Sequence, residues 1–184
     1  MSITLGGKTA TELNIRVLKG TQEPITAATR DRTLTIPGRH GAYDFGADLS
    51  VRMFALECAI LADSPSDLQT KIRALAAHLS DARGRPRTLE LIWDEEPDRH
   101  YSVRYSGNLP VERVAAIGLF TLPLTAFDPF AYGEDQRKEQ LVETSPEVIV
   151  VESFGNVETP PVIILENEGV AAINGFIIRH YVEV

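Results

Sequence analysis

Few residues of this chain combine the type and the spacing that chemistry requires. The four histidines are His40, His78, His100 and His180, and no two of them are spaced to lie on one face of a helix. Neither an HExxH nor a CxxC pattern is present, so the sequence predicts no metal site. His78 falls within the one predicted helix, next to its apolar stripe, and is predicted to be a flanking surface residue.

An acidic cluster is the second candidate for chemistry. Asp94, Glu95, Glu96 and Asp98 are close together in sequence, and such carboxylates can bind a hard cation or act as an acid–base pair. The same stretch contains Pro97, and turns favour Asp and Pro because of the backbone conformations they need. We therefore prefer the interpretation of this cluster as a β-hairpin turn.

The sequence contains no motif for an activated nucleophile or for nucleotide binding. Cys58, the only cysteine, lies on the apolar face of a predicted strand, where it acts as a small hydrophobic residue and has no disulfide partner in the chain. No GxSxG, GxGxxG or GK[ST] pattern occurs. We predict no catalytic residue, no cofactor and no metal, and hence a protein that is not an enzyme. A small hydrolase whose site leaves no motif is a third alternative, and it predicts a pocket with titratable groups of shifted pKa.

Composition and charge narrow the class of protein. The 184 residues are 43% hydrophobic and 24% charged, as in globular proteins, and the net charge of −8 disfavours a nucleic-acid partner. No apolar run is long enough to span a bilayer, so no membrane is expected. Residues 139–184 hold one basic and eight acidic side chains, which predicts a boundary near residue 138. Their acidity indicates a solvated face or, alternatively, a surface for a basic partner.

One helix is predicted between the strands. Ser64 suits the N-cap, Pro65 the first helical position and Asp67 the first turn. Apolar residues at helical spacing follow, and the pattern predicts a helix over 65–82 that ends near Gly84.

The remaining elements are predicted strands. Apolar residues that alternate at period two, in segments separated by Gly and Pro, indicate strands in the first two thirds of the chain. These strands are predicted at 3–5, 14–19, 32–36, 52–61, 88–93 and 101–107. A further apolar run at 112–127 is predicted to form one bent strand or two. Three more are predicted near the end, at 148–153, 162–166 and 176–182. Glycines at 38, 41 and 46 predict a long loop, and residues 94–98 predict a hairpin turn. Because most strands are consecutive, we expect a mainly β (α+β) fold with an antiparallel barrel or sandwich and a helix covering one side or end.

Four segments, taken in order, resemble the distal tail protein family of siphophages. They are IPGRHG at 36–41; the strand at 52–61 and helix at 65–82 followed by LELIWD at 89–94; GLFTLPL at 118–124 running into DPFAY at 128–132; and Gly155-Asn156 followed by PPVII at 160–164. The resemblance extends over about residues 30–184.

The resemblance implies a domain organisation and a role. It implies a split antiparallel β-barrel with one flanking helix at 1–133, a linker at 134–140, and a short β extension at 141–184 similar to the start of a galectin-like second domain. It further implies a structural virion protein, made in the bacterial cytoplasm, that forms a ring, usually hexameric, connecting the phage tail tube to the tail tip or baseplate. The partners would be other copies of the chain, the tail tube protein and the tip or baseplate hub protein.

Seven residues carry specific expectations. Five are expected at turns for backbone reasons: Pro37, Gly38, Gly41, Asp128 and Pro129. Phe130 and Tyr132 are candidate interface residues, which either fold back to cap the barrel core or fill a pocket on an adjacent subunit. The alternative function is a monomeric β-rich module that binds carbohydrate or protein. It predicts a monomer, whereas the leading interpretation predicts a discrete oligomer.

Overall fold

The computed structural model describes residues 2–181 and divides into two compact units, Met1–Gln136 and Arg137–Val184. All helices and strands found among the described residues lie in the first unit. In chain order they are β1 (Ile3–Leu5), β2 (Lys8–Thr9), β3 (Arg16–Val17), β4 (Thr29–Leu34), β5 (Tyr43–Leu49), β6 (Arg52–Leu61), α1 (Pro65–Leu79), β7 (Thr88–Trp93), β8 (Glu96–Tyr105), β9 (Glu112–Val114) and β10 (Ile117–Ala126).

Eight of the strands form one antiparallel sheet. Its order is β2-β1-β7-β8-β10-β6-β3, and β9 pairs with the start of β10. β6 and β10 pair along their whole lengths, from Leu61 opposite Ile117 to Arg52 opposite Ala126. β10 pairs on its other edge with β9 at its start and with β8 at its end, so the sheet curls strongly into a half-barrel. The predicted mainly β fold, a split antiparallel β-barrel with one helix, is confirmed.

The core lies inside the curled sheet, under the helix. Alternate residues of β6 and β10 face inward and are buried, as the period-two pattern predicted for β6. The helix adds Leu68, Leu75 and Leu79, and the rings of Phe54 and Tyr101 lie 5.0 Å apart between their centroids. Each large apolar side chain buried in this way contributes about 1.5–3 kcal/mol.

The helix begins where its capping residues predict. The Ser64 hydroxyl accepts a hydrogen bond from the Asp67 backbone N–H at 3.1 Å. The helix ends at Leu79, three residues before the predicted end, because Ser80 adopts an extended conformation and pairs with Pro86. The sequence signals at 83–84 therefore belong to the turn after the helix.

The hairpin turn predicted at 94–98 is wrong in detail. β8 begins at Glu96, so the hairpin turn consists of Asp94 and Glu95 rather than residues 94–98. The ladder is irregular between Leu91 and Trp93, and Pro97 lies in the stretch of β8 opposite this irregularity, where its missing N–H breaks no regular ladder.

The predicted long loop at 38–46 is also wrong, because Tyr43–Leu49 forms β5 and pairs with β4. The ladder shifts register between Asp31 and Thr33, and Gly46 lies in the resulting bulge with φ +88°. The glycines thus mark a turn and a bulge of a hairpin.

The second unit has no helix or strand among its described residues, 137–181. The strands predicted at 148–153 and 162–166 are absent, as is the one at 176–182 up to residue 181; Val182 lies outside the described residues. A strand needs a paired ladder and a covered face, whereas Val148 is 80% exposed and Ile177 81%. The structure separates the units between Gln136 and Arg137, and the domain division predicted from the resemblance stays a prediction.

Candidate assembly surface

A separate hairpin stands out on the first unit. β4 and β5 pair only with each other among the described strands, and every residue of both strands is exposed. We call residues 29–49 the ribbon. Its exposed residues include five large apolar side chains, of which Phe45 is 63% exposed; the others are Leu34, Ile36, Tyr43 and Leu49. Apolar residues so concentrated on a free hairpin are typical of a surface that a partner covers.

The ribbon gains little stability from its own contacts. Its ion pairs join Asp48 to Arg30 at 3.8 Å and to Arg32 at 3.3 Å, and all three side chains are exposed. Exposed pairs of this kind contribute about 0–1 kcal/mol. Because an isolated two-stranded hairpin is at best marginally stable in water, the ribbon depends on its base and on whatever covers it.

The base of the ribbon is held to the barrel. The Ser50 N–H donates to the Ala28 carbonyl at 2.7 Å, which closes the hairpin at its root. The guanidinium of Arg52 donates to the carbonyls of Pro24 at 2.6 Å and Ile25 at 3.3 Å, and its carbon lies 4.7 Å from the centre of the Tyr101 ring. Arg52 therefore ties the segment before the ribbon to a buried aromatic residue of the core.

The tip of the ribbon contains three of the predicted turn residues. Pro37, Gly38 and Gly41 lie in the connection between β4 and β5, with φ +82° at Gly38 and +79° at Gly41. Such angles are costly for residues with a Cβ. Between these glycines, the Arg39 guanidinium lies 4.1 Å from the centre of the Tyr43 ring. The turn therefore presents Arg39 at the far end of the ribbon.

The loop after β10 contains the other predicted residues. The Asp128 carboxylate accepts hydrogen bonds from the Phe130 backbone N–H at 3.3 Å and from the Tyr132 hydroxyl, and the latter bond raises the pKa of Tyr132. Pro129 lies between them, and the backbone of Tyr132 pairs with His100 through two 2.9 Å hydrogen bonds. Phe130 is 38% exposed and Tyr132 43%, so neither ring belongs to the buried core. Their role at an interface stays a prediction.

His78 is not the surface residue that we predicted. Its side chain is buried, and its Nε2 lies 2.8 Å from the Leu5 carbonyl oxygen, so this nitrogen carries the proton in the hydrogen bond. The bond joins the helix to β1. The buried Leu75 lies one turn before His78 on the same helical face, which is the signal that could have identified His78 as buried.

The Cys58 thiol is buried in the core. Burial raises the pKa of the Cys58 thiol to about 12, so the thiolate that would act as a nucleophile does not form at neutral pH. Among residues 2–181, no group of three or more His, Cys, Asp or Glu side chains is arranged to hold a metal ion. In the same part of the chain, no helix is long and apolar enough to cross a membrane.

Comparison with known proteins identifies the class. Residues 8–126 match the family described as the phage tail protein RIFT-related domain. The chain therefore belongs to this family of structural phage tail proteins.

A solved structure extends the comparison. The fold is similar to that of the Dit protein of phage SPP1, which is described as a paradigm of the hub adsorption apparatus in phages infecting Gram-positive bacteria. The TM-score is 0.61 at 20% sequence identity, over 72% of this chain and 52% of that one, so the chain spans about half the length of the SPP1 protein. No curated protein sequence matches the chain. The family match thus confirms the predicted resemblance to siphophage tail proteins, and the fold is similar to that of a distal tail protein.

Proposed function

We propose that the protein forms a ring of six copies that connects the phage tail tube to the tail tip or baseplate. The observation that carries this proposal is the ribbon: an exposed apolar hairpin, tied to the barrel at its base only, in a member of a phage tail protein family. The ribbon would contact the next copy in the ring.

The shape of the contact favours a ring over a two-fold dimer. A ring needs a heterologous contact, in which one patch of each subunit meets a different patch of its neighbour. The ribbon is a protruding hairpin. A protruding hairpin packs better into a different surface of the neighbouring subunit than against that subunit's own ribbon. The edge strands of the large sheet, β2 and β3, have only two residues each. Such short edge strands resist pairing with the strands of another molecule. The ribbon is therefore the main candidate for the contact between copies.

The proposed partners outside the ring are the tail tube protein on one side and the tip or baseplate hub protein on the other. Phe130 and Tyr132, half-exposed after β10, are candidates for such a contact or for the contact between copies. The acidic stretch 139–184 suits a basic surface on one of these partners. The location would be the virion.

The test is the mass in solution, measured by size-exclusion chromatography with light scattering over a range of concentrations and salt. Six chains of 20.3 kDa would have a mass of about 122 kDa, and electron micrographs of that fraction should show a central hole. The matched variant replaces residues 31–47 with a short Gly-Ser turn and should be a folded monomer. A wild-type protein that stays monomeric at every concentration, also when mixed with tail tube protein, would contradict the proposal and favour the monomeric binding module.

A further inference from the structure

A small acidic cleft lies at the β7–β8 hairpin turn. Glu23, Trp93, Glu95 and Glu96 line it, and its volume is about 210 Å³. This is below the range of roughly 300–1,000 Å³ for sites that bind small molecules such as drugs and cofactors. The cleft is therefore of a size to receive one side chain.

The charge of the cleft favours a cation. Burial raises the pKa of Glu23, and the nearby Glu96 and Glu95 raise it further, whereas Arg52 lowers it. The guanidinium of Arg52 donates its hydrogen bonds to the backbone carbonyls of Pro24 and Ile25 rather than to Glu23. A positively charged side chain entering the cleft would relieve the repulsion among its carboxylates.

An unsatisfied hydrogen-bond donor accompanies these carboxylates. Trp93 is only 3% exposed, and its indole N–H has no acceptor among the described residues. Buried donors are nearly always paired in native proteins, so an orphaned one requires an explanation. Because Trp93 lines the cleft, the cleft combines excess negative charge with an unsatisfied donor in its wall.

The ribbon tip carries a positive charge that suits this cleft. Arg39 is exposed in the turn at the tip, and among the described residues its guanidinium contacts a ring rather than a carboxylate. The ribbon's other arginines, Arg30 and Arg32, already pair with Asp48. Strands rise by roughly 3.3 Å per residue, so β4 alone carries the tip roughly 20 Å from the base of the ribbon, far enough to reach a neighbouring molecule.

We propose that Arg39 at the ribbon tip of one copy binds in the acidic cleft of the next copy, against Glu23 and Glu96. This inference rests on the proposed ring and names the two surfaces that meet in it. The planar guanidinium suits the site because it can donate to two carboxylates at once. The contact joins two different patches, as a heterologous ring interface requires.

Charge exchange tests the pairing. Arg39→Glu and Glu96→Lys should each raise the dissociation constant between copies by roughly tenfold or more, since close interfacial charge pairs have couplings of that size or larger. Combining them in one chain should restore most of the affinity. Arg83→Glu, in the exposed turn after the helix, makes the same change of charge outside the ribbon and should leave the affinity unchanged.

A cross-link provides a second, independent measurement. A variant with Arg39→Cys is mixed with one carrying Glu96→Cys under oxidising conditions, and the yield of mixed dimer is compared with that from Arg83→Cys and Glu96→Cys. A clear excess for the first pair supports the inference. If the wild type forms the oligomer, two results overturn the inference and leave the proposed ring intact. One is equal cross-link yields for the two pairs, and the other is a charge-exchanged double variant that does not recover its affinity. A wild type that is monomeric, together with no excess cross-link from the two cysteine variants, overturns both proposals.

Discussion

Arg52 should act as the anchor of the ribbon, and removing its side chain should cost the first unit measurable stability. Arg52 donates two hydrogen bonds to the carbonyls of Pro24 and Ile25, and it stacks on Tyr101. A hydrogen bond from a charged donor contributes about 1.5–3 kcal/mol, and a cation–π contact about 0.5–1 kcal/mol. The 3.3 Å bond is the weaker of the two, and the buried Nε has no partner among the described residues, which offsets part of the gain. We therefore expect Arg52→Ala to lower the free energy of unfolding by about 3 kcal/mol.

Urea unfolding measures this loss directly. The midpoint should fall while the slope with denaturant stays the same, because the folded and unfolded states keep their compactness. Hydrogen exchange at the Gln22 N–H, which donates to the Ala55 carbonyl at 2.9 Å, should accelerate because this segment loosens first.

The control for this loss is Arg104→Ala. Arg104 also stacks on an aromatic ring, with its guanidinium carbon 4.5 Å from the centre of Phe127, but no side-chain hydrogen bond of Arg104 is found among the described residues. It should cost about 0.5–1 kcal/mol. If Arg52→Ala and Arg104→Ala unfold at the same urea concentration, the bonds to Pro24 and Ile25 do not stabilise the fold and the anchoring argument is refuted.

Three further predictions concern residues outside the ribbon's base. His78→Ala should lower the melting temperature through the loss of about 2 kcal/mol for a buried hydrogen bond and its packing, whereas His100→Ala should change it little; equal shifts would contradict the burial of His78. Gly41→Val should cost about 1–2 kcal/mol because its φ is +79°, and Asp128→Ala should also destabilise through loss of its turn, so unchanged melting of both variants would count against their turn roles. Cys58 should resist thiol reagents at neutral pH until the protein is unfolded, because its pKa is about 12; rapid labelling of the native protein would show that the strand opens.

Local signals predicted the parts of the fold that local chemistry determines. Ser64, Pro65 and Asp67 specify the start of the helix by capping and charge, and these effects act within one turn. The strand at 52–61 was predicted with its observed ends because one face is apolar at every second residue. The turn residues at 37–41 were likewise identified from their types, and the structure places them at the tip of the ribbon.

Features that depend on pairing at a distance were missed. The sequence of Tyr43–Leu49, with Gly46 in its middle, looks like a loop until β4 is placed beside it. His78 looks like a surface residue until β1 brings the Leu5 carbonyl to its ring. The strands predicted beyond residue 140 have the right composition, yet no strand forms up to residue 181, because composition supplies the propensity and only a partner strand supplies the ladder.

The amino-acid sequence by itself therefore determined the class of fold, the helix, most barrel strands and the family resemblance, all of which rest on short-range patterns and their order. Only the tertiary structure decided that the ribbon stands free of the barrel and that Glu23 meets the β7–β8 turn in one cleft. The physical reason is that no single segment of the sequence determines whether its side chains are exposed or which distant residues lie beside them. Both are decided when the sheet curls and brings residues far apart in sequence to one surface.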